Sequence, residues 1–187
     1  MHYEVIVIGS GPGGEGAAMK AAKEGKHVAV IDSFPEVGGS CTHRATIPSK
    51  ALRQSVQQIA DLGVQREMNF QDVLRRAETV IRQQVDMRSL FYIRNGVDVI
   101  HGRAAFVDET TIEVTSDLGT QRVTGEAFVI AVGARPYHPP DVDFTHSRIL
   151  DSDTVLKLQH SPKSITIYGA GVIGCEYASI FRSLHIK

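Results

Sequence analysis

One pattern restricts the fold of this 187-residue chain more than any other: an apolar run, a glycine turn and a helix of small residues, in that order. Val5-Ile6-Val7-Ile8 leads into Gly9-Ser10-Gly11-Pro12-Gly13-Gly14, and Ala17-Ala18-Met19-Lys20-Ala21-Ala22 leads out. Gly9, Gly11 and Gly14 fit G-x-G-x-x-G: the first glycine permits the tight turn, the second lets a pyrophosphate approach the backbone, and the third lets helix and strand pack closely. The helix aims unpaired N–H groups and its positive dipole end at the phosphates. A second apolar run, His27-Val28-Ala29-Val30-Ile31, ends at Asp32, placed to accept hydrogen bonds from a ribose. An acid there suits a ribose without a 2′-phosphate. Strand, turn, helix and acid together read as a dinucleotide-binding unit.

Bulk charge narrows the partners. With 20 basic and 21 acidic residues and a formal net charge of -1, the chain gives no reason to expect nucleic acid or an anionic membrane surface. Met1 passes directly into the first strand and no apolar run approaches the ~20 residues of a membrane helix, so a cytoplasmic protein is expected. Two distant cysteines, Cys41 and Cys175, and eight scattered histidines argue against a disulfide scaffold or a metal centre.

After Asp32 the segment from Ser33 to Lys50 shows no periodicity and reads as a loop, up to a helix that Pro48 helps to start. Ala51, Leu52, Ser55, Val56, Ile59 and Ala60 form a helical stripe that Gly63 ends. Asn69 with Asp72 resembles an N-cap and its partner. The apolar spacing from Phe70 through Phe91 then marks a long amphipathic helix closed by Asn95-Gly96. Val97-Asp98-Val99-Ile100, Arg103-Ala104-Ala105-Phe106-Val107, Thr111-Ile112-Glu113-Val114-Thr115 and Gln121-Arg122-Val123-Thr124 read as short antiparallel strands forming a sheet of their own. The continuous run Ala127-Phe128-Val129-Ile130-Ala131-Val132 is expected to return to the parallel sheet, buried on both faces, and to stop at Gly133. That glycine fits either a close cofactor approach or a plain turn before Pro139-Pro140.

The opening theme then recurs. Residues 151–158 read as a short capped helix, Ile165-Thr166-Ile167-Tyr168 as a strand, Gly169-Ala170-Gly171-Val172-Ile173-Gly174 as a second G-x-G-x-x-G, and Cys175 to Leu184 as its helix. Two such fingerprints with different flanks imply two different dinucleotides. The fold class is therefore α/β: a Rossmann-like parallel sheet with helices and a small antiparallel meander, followed by the start of a second Rossmann-like unit.

At these residues the sequence resembles the two-dinucleotide-binding flavoproteins, the family that includes glutathione reductase and dihydrolipoyl dehydrogenase. The likeness runs through Gly9 to Gly14, Asp32, the Gly38-Gly39 loop with Cys41 and Lys50, the Ala131/Gly133/Pro136 run, and Gly169 to Glu176. It implies an FAD-binding domain over residues 1–148 and the beginning of an NAD(P)-binding domain over 149–187. FAD would lie against Gly9, Gly11, Pro12, Gly14, Asp32, Gly39, Cys41, Thr42, Thr46, Lys50, Ala131 and Gly133. A nicotinamide nucleotide, as substrate, would meet Gly169, Gly171 and Gly174. Lys50 and Glu176, expected to form a buried ion pair beside the flavin, are with Cys41 the candidate catalytic residues.

The loop separates branches of the family. Disulfide reductases carry Cys-x-x-x-x-Cys there, whereas Cys41 is followed five positions on by Thr46, so the redox disulfide cannot form. The loop is most similar to that of the soluble transhydrogenases, which implies hydride transfer between NADPH and NAD through FAD. Two alternatives stand beside it: a dihydrolipoyl dehydrogenase-like paralogue without its disulfide, and a non-catalytic FAD-binding module. The complete protein is expected to form a homo-oligomer. The 187 residues alone are expected to be inactive, with the apolar face of the last helix bare.

Overall fold

A computed structural model describes residues 1–61 and 69–187. The helix stop expected at Gly63 lies outside the described residues, as do the side chains of Ile59 and Ala60. The chain divides into two compact units, Met1–Cys41 with Gln83–Ala134 and Thr42–Arg82 with Arg135–Lys187.

In the first unit, β1 (His2–Ile8) leads into α1 (Pro12–Lys23) and β2 (Val28–Asp32), then β3 (Asp98–His101), β4 (Arg103–Phe106), β5 (Thr111–Ser116) and β6 (Gly119–Ile130). They form one six-stranded sheet in the order β3-β2-β1-β6-β5-β4. Parallel pairing places Val5 to Ile8 opposite Val28 to Ile31, and Asp98 to His101 opposite Ala29 to Asp32. The β-branched runs fill both faces: Ile6, Ala29 and Ile31 pack with Ile112, Val114 and Val123 on one, while Val7, Val28 and Val30 pack with Ala18, Tyr92 and Val97 on the other.

The separate antiparallel sheet expected from the sequence is not formed. Residues 98–101 join the parallel sheet beside β2, and β4 and β5 extend the same sheet at its other end. The reason is the length of β6. Its first half pairs antiparallel with β5 from Ser116↔Gly119 to Thr111↔Thr124, and its second half pairs parallel with β1 from His2↔Thr124 to Ile8↔Ile130. One strand serves two neighbours, and no boundary falls between meander and core.

The second half of β6 also departs from burial on both faces. Val129 and Ala131 pack toward α1, but Ile130 is 66% exposed.

The second unit holds α3 (Thr46–Asp61), the start of α4 (Phe70–Arg94), a 3-10 turn (Val155–Lys157) and α5 (Val172–Ser183). Leu52, Val56, Phe70, Val73, Ala77, Tyr177, Ile180 and Phe181 form its core, with the Phe70 and Phe181 rings 5.1 Å apart. The expected cap on α4 is present: the Asp72 amide donates to Asn69 Oδ1 at 3.0 Å, and the Asn69 amide reaches Asp72 Oδ2 at 3.5 Å. At its other end Gly96, with φ +64°, lets the Val97 amide reach back to the Tyr92 carbonyl at 3.0 Å.

Three expectations are corrected here. The helix over 151–158 shrinks to the 3-10 turn, because the Asp151 carboxylate draws the amides of Asp153 and Thr154 into a tight local turn. Residues 165–168 form no ladder: the Ile165 amide bonds to the Lys187 carbonyl at 2.7 Å, and no strand among the described residues runs alongside. Finally, α5 is not bare, since Tyr177, Ile180 and Phe181 are buried, and exposure concentrates at its start on Val172 and Ile173.

Candidate functional site

Each glycine of the first motif is required by a different contact. Gly9 has φ +106°, and a Cβ there would lie 2.8 Å from the Ala131 carbonyl carbon and closer still to its oxygen. A Cβ at Gly14 would lie 2.9 Å from the Gly9 carbonyl carbon, again with the oxygen nearer. Gly11 differs: its Cβ would have only Gly39 Cα within 4 Å, at 3.8 Å, so the backbone there is open to an approaching group. The turn is thus closed where strand and helix meet and open in the middle, which is the cradle a pyrophosphate needs. The residues present fit a dinucleotide.

The cradle is braced from behind. Ser10, fully buried, donates its amide to Asp32 Oδ2 at 2.7 Å and its hydroxyl to the same oxygen at 2.5 Å. The Phe34 amide donates to Asp32 Oδ1 at 2.9 Å, and Ser10 Oγ accepts from the Gly38 amide at 3.1 Å. Asp32 therefore fixes the turn; Oδ2 is filled by the two Ser10 bonds, and Oδ1, which accepts one, keeps acceptor capacity for a ribose hydroxyl. Sequence reasoning passed over Ser10, although a hydroxyl between two glycines after a buried strand was a visible signal.

The loop after Asp32 contains a short helix that the sequence reading lacked, α2 (Gly39–His43). Gly39 starts it at φ +60°, where a Cβ would lie 2.7 Å from Gly11 Cα. That contact draws the cysteine loop onto the first motif. Cys41 is a free, half-buried thiol, and Thr42 is fully buried with a hydroxyl that has no hydrogen-bond partner among the described residues. Pro12 is exposed at the first position of α1. Ala131 donates its amide to the Ile8 carbonyl at 2.8 Å, and Gly133, with φ +73°, has nothing within 4 Å of a Cβ.

In the second unit Thr46 opens α3 and is exposed. Lys50 Nζ lies 2.5 Å from Glu176 Oε1, so the expected ion pair forms between α3 and α5. It is not a buried pair on both sides: the Lys50 side chain is 62% exposed and that of Glu176 only 16%. One turn on, Arg53 donates to the Ser179 hydroxyl. The second motif repeats the steric signature of the first. Gly169 has φ +125°, a Cβ at Gly174 would lie 3.2 Å from the Gly169 carbonyl carbon with its oxygen nearer, and Gly171 is open.

Two buried tyrosines carry shifted hydroxyls. Burial, then the charges of Glu176 and Asp153, pushes Tyr177 well above the usual tyrosine range. Burial likewise raises Tyr92, aided by Glu15 and Asp32 and opposed by Arg88.

Residues 3–187 match the family model described as pyridine nucleotide-disulphide oxidoreductase. The chain belongs to this family. Among its relatives, the soluble pyridine nucleotide transhydrogenases of Hahella chejuensis and Azotobacter vinelandii are 56% and 55% identical over 195 positions, covering 99% of this chain. The chain spans 42% of the length of each. Among solved structures, the HOCl-induced flavoprotein disulfide reductase RclA of Escherichia coli, as its Cu(II) complex, superposes with a TM-score of 0.90 at 29% identity. The match covers 100% of this chain and 41% of that one. As expected from the sequence, the fold is α/β with a Rossmann-like nucleotide unit. No described helix is long and apolar enough to cross a membrane.

Proposed function

We propose that this chain is the N-terminal part of an FAD-dependent transhydrogenase that moves hydride between NADPH and NAD. The observation that carries the reading is Thr46, which stands where a disulfide reductase of this family has its second sulfur. Cys41 is left as a single thiol in its loop and cannot relay an electron pair to a disulfide substrate. The names of the relatives at 53–56% identity support the same choice.

Bound FAD supplies the hydride acceptor and donor. Gly11 would leave room for its pyrophosphate at the N-terminus of α1, Gly9 and Gly14 hold strand and helix close, and Asp32 would offer Oδ1 as an acceptor to the adenosine ribose. Gly39, Cys41, Thr42, Thr46, Ala131 and Gly133 are assigned to the same cofactor, with the unpartnered Thr42 hydroxyl as a donor available to it. Lys50, held by Glu176, is the cation we assign to the flavin ring, where it would stabilise negative charge. Gly169, Gly171 and Gly174 form the corresponding cradle for the nicotinamide nucleotide. The domains are then residues 1–148 for FAD and the first part of the nicotinamide domain from 149. We further assign the complete enzyme to the cytoplasm, in keeping with the word soluble in its relatives' names, and to a homo-oligomer.

The test is hydride transfer from NADPH to thio-NAD⁺ by the complete, FAD-loaded protein, with lipoamide and glutathione disulfide as competing acceptors. Transfer to the nicotinamide alone supports the reading. Disulfide reduction with no nicotinamide transfer overturns it.

A further inference from the structure

A half-buried ion pair stands behind the first turn of α1. Glu15 lies one turn past Gly11, its amide bonded to the Gly11 carbonyl at 2.8 Å, and its side chain is 21% exposed. Arg88 of α4, 13% exposed, brings Nε to 3.1 Å from Glu15 Oε2. The same guanidinium donates to the Gln84 side chain at 2.6 Å and to the Gln84 carbonyl at 3.3 Å, so its position is fixed from its own helix. Tyr92, one turn further along α4 and 1% exposed, closes the cluster with a hydroxyl unpartnered among the described residues. The nearest cation on α1, Lys20, is engaged with Glu24.

A carboxylate is an awkward neighbour for this turn. The first turn of α1 attracts a pyrophosphate through free N–H groups and its dipole, and a full negative charge four residues on, about 6 Å along the axis, opposes that attraction. Arg88 cancels the charge and tethers the side chain to a different helix. We propose that Arg88 is a positioning residue for the dinucleotide of the first motif: by holding and neutralising Glu15, it keeps the N-terminus of α1 attractive to the pyrophosphate. The inference rests on the reading of that motif as the FAD site.

At an effective dielectric constant near 20 and a separation of about 6 to 8 Å, an uncompensated Glu15 charge weakens FAD binding roughly 30- to 100-fold. The experiment measures the FAD dissociation constant of the full-length protein after deflavination and reconstitution, by flavin fluorescence. Arg88→Met is expected to bind more weakly by that factor, and Arg88→Lys by much less. The diagnostic variant is the double substitution Glu15→Gln with Arg88→Met, expected to recover to within about threefold of the wild type because the two sites are coupled. A role for Arg88 that acts only through its packing or its bonds to Gln84 predicts no such recovery. Glu15→Gln alone is expected to bind FAD as tightly as the wild type or more so, and this arm decides the matter if Arg88→Met does not fold. Wild-type flavin binding with an unrecovered double variant, or weaker binding by Glu15→Gln, overturns the role of Arg88 alone. A wild-type protein that takes up no FAD overturns the underlying reading and this inference with it.

Discussion

Two glycines of α1 separate backbone preference from packing. At an ordinary helix position, replacing Gly by Ala stabilises by about 0.5–1 kcal/mol, because alanine loses less freedom on folding. Gly16 is such a position: it is exposed, and a Cβ there meets nothing within 4 Å. Gly14, two residues earlier on the same helix, is buried, and its Cβ would lie 2.9 Å from the Gly9 carbonyl carbon and 3.2 Å from Val7 Cγ1. Ordinary carbon contacts need about 3.5–4.0 Å, so α1 must retreat from the turn by more than about 0.5 Å, and the nearer carbonyl oxygen raises that demand. The turn cannot yield in turn, since the Gly9 amide is tied to the Ile31 carbonyl at 2.8 Å and Gly9 backs onto Ala131. Overpacking of this kind costs about 1–3 kcal/mol, which exceeds the helix gain. Gly14→Ala is therefore expected to lower the urea midpoint of the apoprotein and to weaken FAD binding, while Gly16→Ala raises the midpoint and leaves FAD binding unchanged. A Gly14→Ala protein as stable as the wild type would refute the claim that the third glycine exists for helix–strand contact.

Other outcomes follow from the second unit and the helix ends. Lys50→Met leaves Glu176 without its partner, but solvent already screens the exposed Lys50, so a loss of about 1 kcal/mol is expected by urea unfolding, well short of the 3–5 kcal/mol of a fully buried pair. Desolvation pushes the Asp151 carboxyl up, but hydrogen bonds from His138, the Thr154 hydroxyl and the Thr154 and Asp153 amides prevail and hold it down at about 2, against an ordinary 3.8. Its contribution, at most about 2 kcal/mol, is complete above pH 4 and lost as the pH falls through 2. Stability measured between pH 2 and 5 should accordingly fall less steeply in Asp151→Asn than in the wild type. Asn69→Ala removes the cap of α4 and is expected to cost about 1 kcal/mol in the same urea assay. Gly96→Ala, forced to φ +64° at the other end of α4, should cost a similar amount of about 1 kcal/mol, with Gly96→Asn milder.

What the sequence made legible was local. The first strand–glycine–helix unit, the second glycine turn with its helix, the cap at Asn69 and the stop at Asn95-Gly96 depend on residues within a few positions of one another, and each is where its signal put it. The sheet was harder, because β-branched runs state that a strand exists and not which neighbour it finds. Val97-Asp98-Val99-Ile100 has the same character beside β2 as it would have in a meander. The segment at 165–168 shows the converse: strand propensity without a described partner yields no ladder. Around the first motif the contacts that matter span long separations, such as Gly39 on Gly11 and Arg88 on Glu15. Arg88 did leave a trace, a charge in the phase of the buried stripe that continues to Tyr92. Read as an amphipathic brace, α4 concealed it.

The two-sided strand β6 also sets a timetable. β1 is made well before β6, yet one of its edges is covered by residues 124–130, and the carbonyl against which Gly9 packs belongs to Ala131. At a ribosomal rate of about 5–20 residues per second, the apolar run Val5-Ile6-Val7-Ile8 waits on the order of 6 to 25 seconds for that partner. During the wait, β1 pairs on one edge with β2 and presents its other edge unpaired, the situation in which strands recruit foreign chains. The nucleotide turn is thus synthesised long before the residues that complete its geometry. Slow codons or a chaperone acting before residue 131 would influence the yield of cofactor-competent protein more than the same intervention afterwards.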